Sequence, residues 1–276
     1  MSLVRRHPLA SYAVLAITLS WAWWVPLAVR GDLVRPGIGW PTHLPGLLGP
    51  ALAAFAVTAL CDGRPGIRDL ASRCVRWRVP LRWYAAVGAI AGLGALGVLV
   101  QALRTGAAVS PRDLVAYSGA PASVAAALVA AFAVNGLGEE AGWRGFLADR
   151  LADEHGLVRT SLQVGVVWGA WHLPLFLVVA NLRGLGWGVL GWVLGLLAGS
   201  VALTWLYLGS GRSIWLVALW HATYNLTSGT AGAQGLPAAL TSTAVMLAAL
   251  AILWAHSGAR SRHRSSPPQS AHAGAT

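Results

Sequence analysis

Apolar runs alternate along this chain with short polar segments that carry most of its arginines. The runs cover Leu9–Val29, His43–Cys61, Trp83–Leu103, Pro121–Gly138, Thr160–Ala180, Trp187–Leu208, Ser213–Ser228 and Leu236–Ala255. Most approach the roughly 20 residues that a helix needs to cross a bilayer, and Ser213–Ser228 is short for a full crossing. In lipid only a helix satisfies its backbone polar groups within one segment. The pattern therefore predicts an all-α fold, a polytopic transmembrane helical bundle of about eight spans. Arg5 and Arg6 precede the first run as they would in a signal peptide. That run is long, is bulky at Trp21, Trp23 and Trp24, and lacks a small-residue cleavage site before Arg30, so it reads as an uncleaved first span.

Between the second and third runs, Ile67 to Arg78 places apolar residues on one helical face. This predicts a short amphipathic helix on the inner leaflet, with a solvated basic loop as the alternative. Gly188, Gly191 and Gly195 predict close helix approach. From Ser257 the chain turns polar, which predicts a disordered cytoplasmic tail over 257–276 and leaves 1–256 as one membrane-embedded domain.

Composition sharpens this picture. The chain is 56% hydrophobic and 11% charged, against about 25% charged in a soluble domain. Its net charge of +11 comes from arginine without any lysine, spread between the runs. That spread argues against nucleic acid as a partner and for topology signals and anionic headgroups. With the N-terminus inside, fifteen of the twenty arginines fall in inner segments. The expectation is an integral protein of a bacterial plasma membrane with both termini cytoplasmic. Cys61 and Cys74 are too few for a disulfide framework and are expected to be free thiols.

Candidate chemistry starts at Gly138-Glu139-Glu140-Ala141-Gly142-Trp143-Arg144-Gly145-Phe146, which holds two of the chain's three glutamates. Neighbours on a helix point about 100° apart, while residues four apart share a face. Arg144 can therefore neutralise Glu140 in a structural pair while Glu139 stays free. A carboxylate at membrane depth costs roughly 2.5 kcal/mol or more, which makes it a functional candidate, with a plain interfacial ion pair as the alternative. Two further runs carry polar groups at helical spacing, Trp168 with His172 and His221 with Asn225. The other histidines, His7, His43, His155, His256, His263 and His272, fall at ends, loops or tail. One histidine in an apolar run reads as packing, but Glu, His and His-x-x-x-Asn in separate runs are expected to converge, placing the active site among the later spans.

Such a cluster can hydrolyse a peptide bond in two ways. A carboxylate with histidine can activate water while histidine and an asparagine amide steady the oxyanion. Alternatively the imidazoles of His172 and His221 and the Glu139 carboxylate could ligate Zn²⁺, which would acidify its water. The chain holds no Gly-x-Ser-x-Gly elbow, His-Glu-x-x-His helix, phosphate loop or dinucleotide fingerprint.

Glu139-Glu140-x-x-x-Arg144, Trp168-x-x-x-His172 and His221-x-x-x-Asn225, in this order, resemble the three motifs of the CPBP intramembrane proteases, which include CAAX prenyl protease type 2 and bacteriocin-processing or self-immunity relatives. The resemblance covers about Val134 to Asn225, and the Arg-Trp-Arg-Val-Pro-Leu-Arg-Trp-Tyr segment before the third run is also similar. It implies an intramembrane endopeptidase, of metalloprotease or metal-free glutamate type, acting on a membrane-associated peptide or protein near the cytoplasmic face. Glu139 would activate water with help from His172, and His221 and Asn225 would bind the metal or steady the oxyanion. Trp168 stands where the family commonly has Phe, a departure expected to bear on packing near His172 more than on chemistry. A non-catalytic membrane protein for peptide-toxin immunity or scaffolding, and a proton or metal transporter, are the competing readings; crowding of the polar groups into the later runs lowers the transporter.

Overall fold

The computed structural model describes residues 3–37, 40–107, 109–116 and 123–264, with side chains described to residue 257. Among these residues the chain is helical throughout its ordered elements, and the only extended pairing is one isolated parallel bridge between Val34 and Val179. After a helical turn at Leu3–Arg6, α1 spans Pro8–Arg30 and stops at Gly31, whose φ of 73° favours a residue without Cβ. A 3-10 turn, Leu44–Leu48, leads into α2 (Gly49–Cys61), followed by α3 (Gly63–Cys74) and α4 (Leu81–Thr105). Next come α5 (Val124–Ala130), a π-helical segment Ala131–Leu137, α6 (Gly138–Gly142), a second π-helical segment Trp143–Ala148, and α7 (Asp149–Trp171). The chain closes with α8 (Val189–Gly209), α9 (Ile214–Ser228) and α10 (Leu236–Arg264). Ser123 and Ser213 cap α5 and α9 by accepting from the backbone N–H three residues on.

Among the described residues, six helical stretches are long and apolar enough to cross a membrane. This is fewer than the eight apolar runs for two physical reasons. Val124–Trp171 is one continuous stretch of 48 residues, although it bends at Gly156, where φ 69° and ψ 175° suit only glycine. The Ser213 run forms a helix of 15 residues, too short to count. The fifth run also ends early: helix stops at Trp171 and a turn through Pro174 follows, because proline has no N–H to continue the ladder. At the other end, α10 runs on to Arg264, past the Ser257 boundary expected for the tail, and residues 265–276 lie outside the described residues, as do Pro121 and Ala122.

The basic segment does contain a helix, but it is Gly63–Cys74 rather than Ile67–Arg78, and 75–80 is not helical. Its inward face carries Leu70 and also Arg73, which is buried against the Asp149 carboxylate at 3.0 Å and the Tyr207 hydroxyl. So α3 is fastened to α7 and α8. Both cysteines are free, and burial pushes the Cys74 thiol up to about 11 against the opposing pull of Arg73, leaving it protonated and inert near neutral pH.

Every residue from Gly138 to Ala148 is buried, so the glutamate-bearing helix runs through the middle of the bundle. Glycine makes this possible by letting neighbours touch its backbone. A Cβ at Gly136 would lie 2.6 Å from Ala218 O, at Gly138 3.0 Å from Leu47 O, and at Gly142 2.7 Å from Pro50 C. These three contacts face α9, the 3-10 turn and α2 in succession. The predicted glycine seam of Gly188, Gly191 and Gly195 does not work this way. A Cβ at Gly191 would meet nothing within 4 Å and one at Gly195 would come no nearer than 3.5 Å to Met246 Cε. These glycines make room for a cavity instead.

Candidate active site

Glu139 is 2% exposed. Its Oε1 accepts a hydrogen bond from Asn135 Nδ2 at 2.9 Å and its Oε2 accepts one from Trp168 Nε1 at 2.8 Å. Each oxygen keeps a second lone pair, so the group can still receive a hydrogen from water. The flanking π-helical segments widen the helix on both sides of Glu139, a feature that helical periodicity cannot announce and that recurs at functional sites.

Glu140 lies on another face. Its Oε1 accepts from Arg144 Nη1 at 2.9 Å and from His221 Nδ1 at 2.7 Å, all three side chains being buried. The arginine also stacks over the Trp168 ring at 4.9 Å. His172 donates from Nδ1 to the Trp168 carbonyl at 2.7 Å, because a carbonyl can only accept; in the neutral ring this leaves the lone pair on Nε2. Trp171 and Trp192 hold its ring edge-on at 4.8 and 5.1 Å. Asn225 donates to Asn135 Oδ1, so a chain of hydrogen bonds runs from Asn225 through Asn135 to Glu139.

One cavity of about 480 Å³ is lined by Glu139, His172, His221 and Asn225 together, with Asn135, Trp168 and His43 in the same wall and Gly191, Gly195 and Gly199 of α8 among its other lining residues. The structure therefore brings the four expected catalytic positions to one space, with the Glu140 and Arg144 pair directly behind His221. Among the described residues, no three of His, Cys, Asp and Glu lie close enough to hold a metal ion. His221 Nδ1 and Glu140 are engaged with each other and Glu139 with Asn135 and Trp168. As a donor set for Zn²⁺ the arrangement does not fit.

The helix that bears Glu139 continues through Ala148, and Glu139 lies ten residues before Asp149, about 15 Å of helix. Two expectations need correction. The Trp168 departure reaches the chemistry, since its indole N–H donates to Glu139, which phenylalanine could not do. His43, read as lying at the end of a run, does precede the 3-10 turn, but it is 4% exposed and lines the cavity. Asn135 was missed although its signal was present: a polar residue inside an apolar run, four before Glu139. Nothing local marks His43.

Residues 121–227 match the family described as type II CAAX prenyl endopeptidase Rce1-like. The resemblance to the CPBP family is borne out. A CAAX prenyl protease 2 from Methanococcus maripaludis is 32% identical over 93 residues, which cover 32% of this chain and 34% of that protein. The similarity thus spans about a third of the relative's length. The CPBP-type segment contains all three motifs and Asn135, while His43 and the cavity wall from α10 come from outside it.

Proposed function

We propose that this protein is an intramembrane endopeptidase of CPBP, CAAX protease-like type, which hydrolyses a peptide bond in a membrane-associated peptide or protein with a water activated by Glu139. The observation that carries this reading is the buried Glu139 carboxylate, held by two donors and sharing one cavity with His172, His221 and Asn225. Water between Glu139 and His172 Nε2 loses a proton to the carboxylate as its oxygen adds to the substrate carbonyl. Asn225, through the amide hydrogen not given to Asn135, and the protonated His221 ring, whose Nδ1–H is held by Glu140 and whose Nε2–H is left to donate, stabilise the oxyanion. The carboxyl then passes the proton to the leaving amine as the C–N bond breaks. The apolar cavity excludes bulk water, which strengthens each of these interactions.

No step here runs through Zn²⁺, because the buried side chains are committed to one another rather than grouped as ligands. Activity that disappears with a chelator and returns only with zinc would replace this route by the metal one. The decisive experiment uses full-length protein in liposomes and an internally quenched CAAX peptide, farnesylated or plain, with Glu139→Gln beside the wild type. Loss of cleavage with normal insertion and melting is expected, whereas an undiminished rate in Glu139→Gln would sink the protease reading and favour an immunity or scaffolding role. Comparison of the two peptides reads whether a prenyl group is required.

The compartment of cleavage needs its own test. The arginine count puts both termini in the cytoplasm, yet the cavity lining includes His43, Asn181, Leu185 and Gly229, in segments or at span ends which that count places outside. We take cleavage to occur at that end of the bundle. Single cysteines at Asn181 and Gly211, probed with a membrane-impermeant maleimide, assign the two ends to compartments. Labelling of Asn181→Cys only from the cytoplasmic side would restore the cytoplasmic site and invert the orientation.

A further inference from the structure

Asn135 is 1% exposed and sits in the π-helical segment Ala131–Leu137, four residues before Glu139. Both ends of its side-chain amide are engaged: Nδ2 donates to Glu139 Oε1 at 2.9 Å, and Oδ1 accepts from Asn225 Nδ2. Packing brings the two asparagines together, although they lie 90 residues apart in the chain. A Cβ at Gly136 would lie 2.6 Å from Ala218 O, so α9 rests directly on the segment that carries Asn135. Asn225 follows Ala218 by seven residues, close to two helical turns, and so returns to the face that meets this segment. The directions of these bonds are not interchangeable. A carboxylate only accepts, so the Asn135 amide turns its NH₂ to Glu139 and its oxygen to Asn225. That oxygen in turn requires an NH₂ from Asn225, because turning the Asn225 amide over would set two carbonyl oxygens against each other.

We infer that Asn135 is a positioning residue of this site, which fixes the Glu139 base and the Asn225 oxyanion donor in one arrangement. The inference rests on the protease reading. Base and donor stand on different elements, α6 and α9, and must address the same carbonyl, one through the attacking water and the other at the oxygen. A small misplacement of either group costs rate. Trp168 holds the other Glu139 oxygen, whereas Asn135 holds Glu139 and Asn225 at once. An aliphatic residue at 135 would suit the apolar segment, but it would take from Glu139 Oε1 and from the Asn225 amide the partner each has now, in a buried place where that loss is felt in full. The Asn135 amide is committed to these two neighbours, so its removal acts on the chemical step more than on substrate binding.

The test uses full-length protein in liposomes with the farnesylated, internally quenched CAAX peptide. Asn135→Leu, which keeps the size and loses both hydrogen bonds, is expected to lower kcat about tenfold to a hundredfold with KM within about twofold. In a Glu139→Gln background, anisotropy of a dansylated form of the same peptide should show binding within about twofold when Asn135→Leu is added. A double-mutant cycle with Asn225→Ala separates positioning from support of the fold. Part of what Asn135 does runs through Asn225, so the double variant should lose less activity than the product of the two single losses, by more than about twofold. Asn135→Ala, which has no bulk to clash and suits a helix, gives the same readings should the leucine disturb folding. A normally folded Asn135 variant with kcat within about twofold of wild type, a loss in KM or binding as large as that in kcat, or single losses that multiply to within about twofold of the double variant would each overturn the inference. Activity surviving Glu139→Gln itself would instead overturn the protease reading on which it rests.

Discussion

The cluster around Asp149 and the cluster around Glu140 both join arginine to carboxylate, about 13 Å apart on one helical stretch. At Asp149 the groups are shared several ways. Arg73 bridges Asp149 and Asp69 at 3.0 and 2.9 Å, Arg212 bridges Asp149 and Asp153 at 2.9 and 2.6 Å, and Tyr207 donates to Asp149. Several partners there are exposed, so water can replace a lost contact. At Glu140 everything is buried and coverage is thin: Arg144 and His221 meet the same Oε1, while Glu140 Oε2 and Arg144 Nε and Nη2 have no hydrogen-bond partner among the described residues. The first cluster fastens α3 to α7 and α8 with redundancy. In the second, Arg144 and His221 both meet Glu140 through a single oxygen, an arrangement that adds little stability but fixes the His221 ring beside Glu139.

Mutations that break one cluster but not the other put this contrast to work. The largest effect is expected at Glu139, just outside both pairs: Glu139→Gln keeps the size and one of the two acceptor oxygens, removes the base, and should lower the cleavage rate on the order of 10² to 10⁴ while the protein still inserts. Arg144→Ala strands the Glu140 carboxylate and should cost about 3 to 5 kcal/mol in stability, read by chemical denaturation in detergent or by yield. Normal stability in that variant would mean that the inner pair is no more dependent than the outer one. Trp168→Phe removes the indole donor to the Glu139 carboxylate, an interaction of about 1.5 to 3 kcal/mol, so activity should fall roughly tenfold to a hundredfold. Retention of full activity would reduce Trp168 to a packing residue. At the small end, Asp153→Asn breaks only an exposed contact of Arg212 and should change stability by about 0 to 1 kcal/mol. A cost comparable to Arg144→Ala would erase the distinction between the clusters.

The sequence by itself determined the helical class and the run positions, because apolar stretches of this length can fold only one way in lipid. It also singled out Glu139, Glu140, Arg144, His172, His221 and Asn225, since polar groups inside apolar runs are costly enough to stand out. The i, i+4 geometry behind the Glu140 and Arg144 pair is local and was readable for that reason. Other features were settled by contacts between elements distant in the chain. The π-helical segments beside Glu139, the turn at His172 and the indole donor of Trp168 depend on what packs against them. The glycines of α8 form a cavity wall rather than a helix seam because no neighbouring backbone approaches them. His43 entered the site because Trp23 and Trp24 anchor its segment and Gly138 lets that turn approach the catalytic helix. Periodicity records which face a residue offers within its own element, and only the packing of helices decides which faces meet.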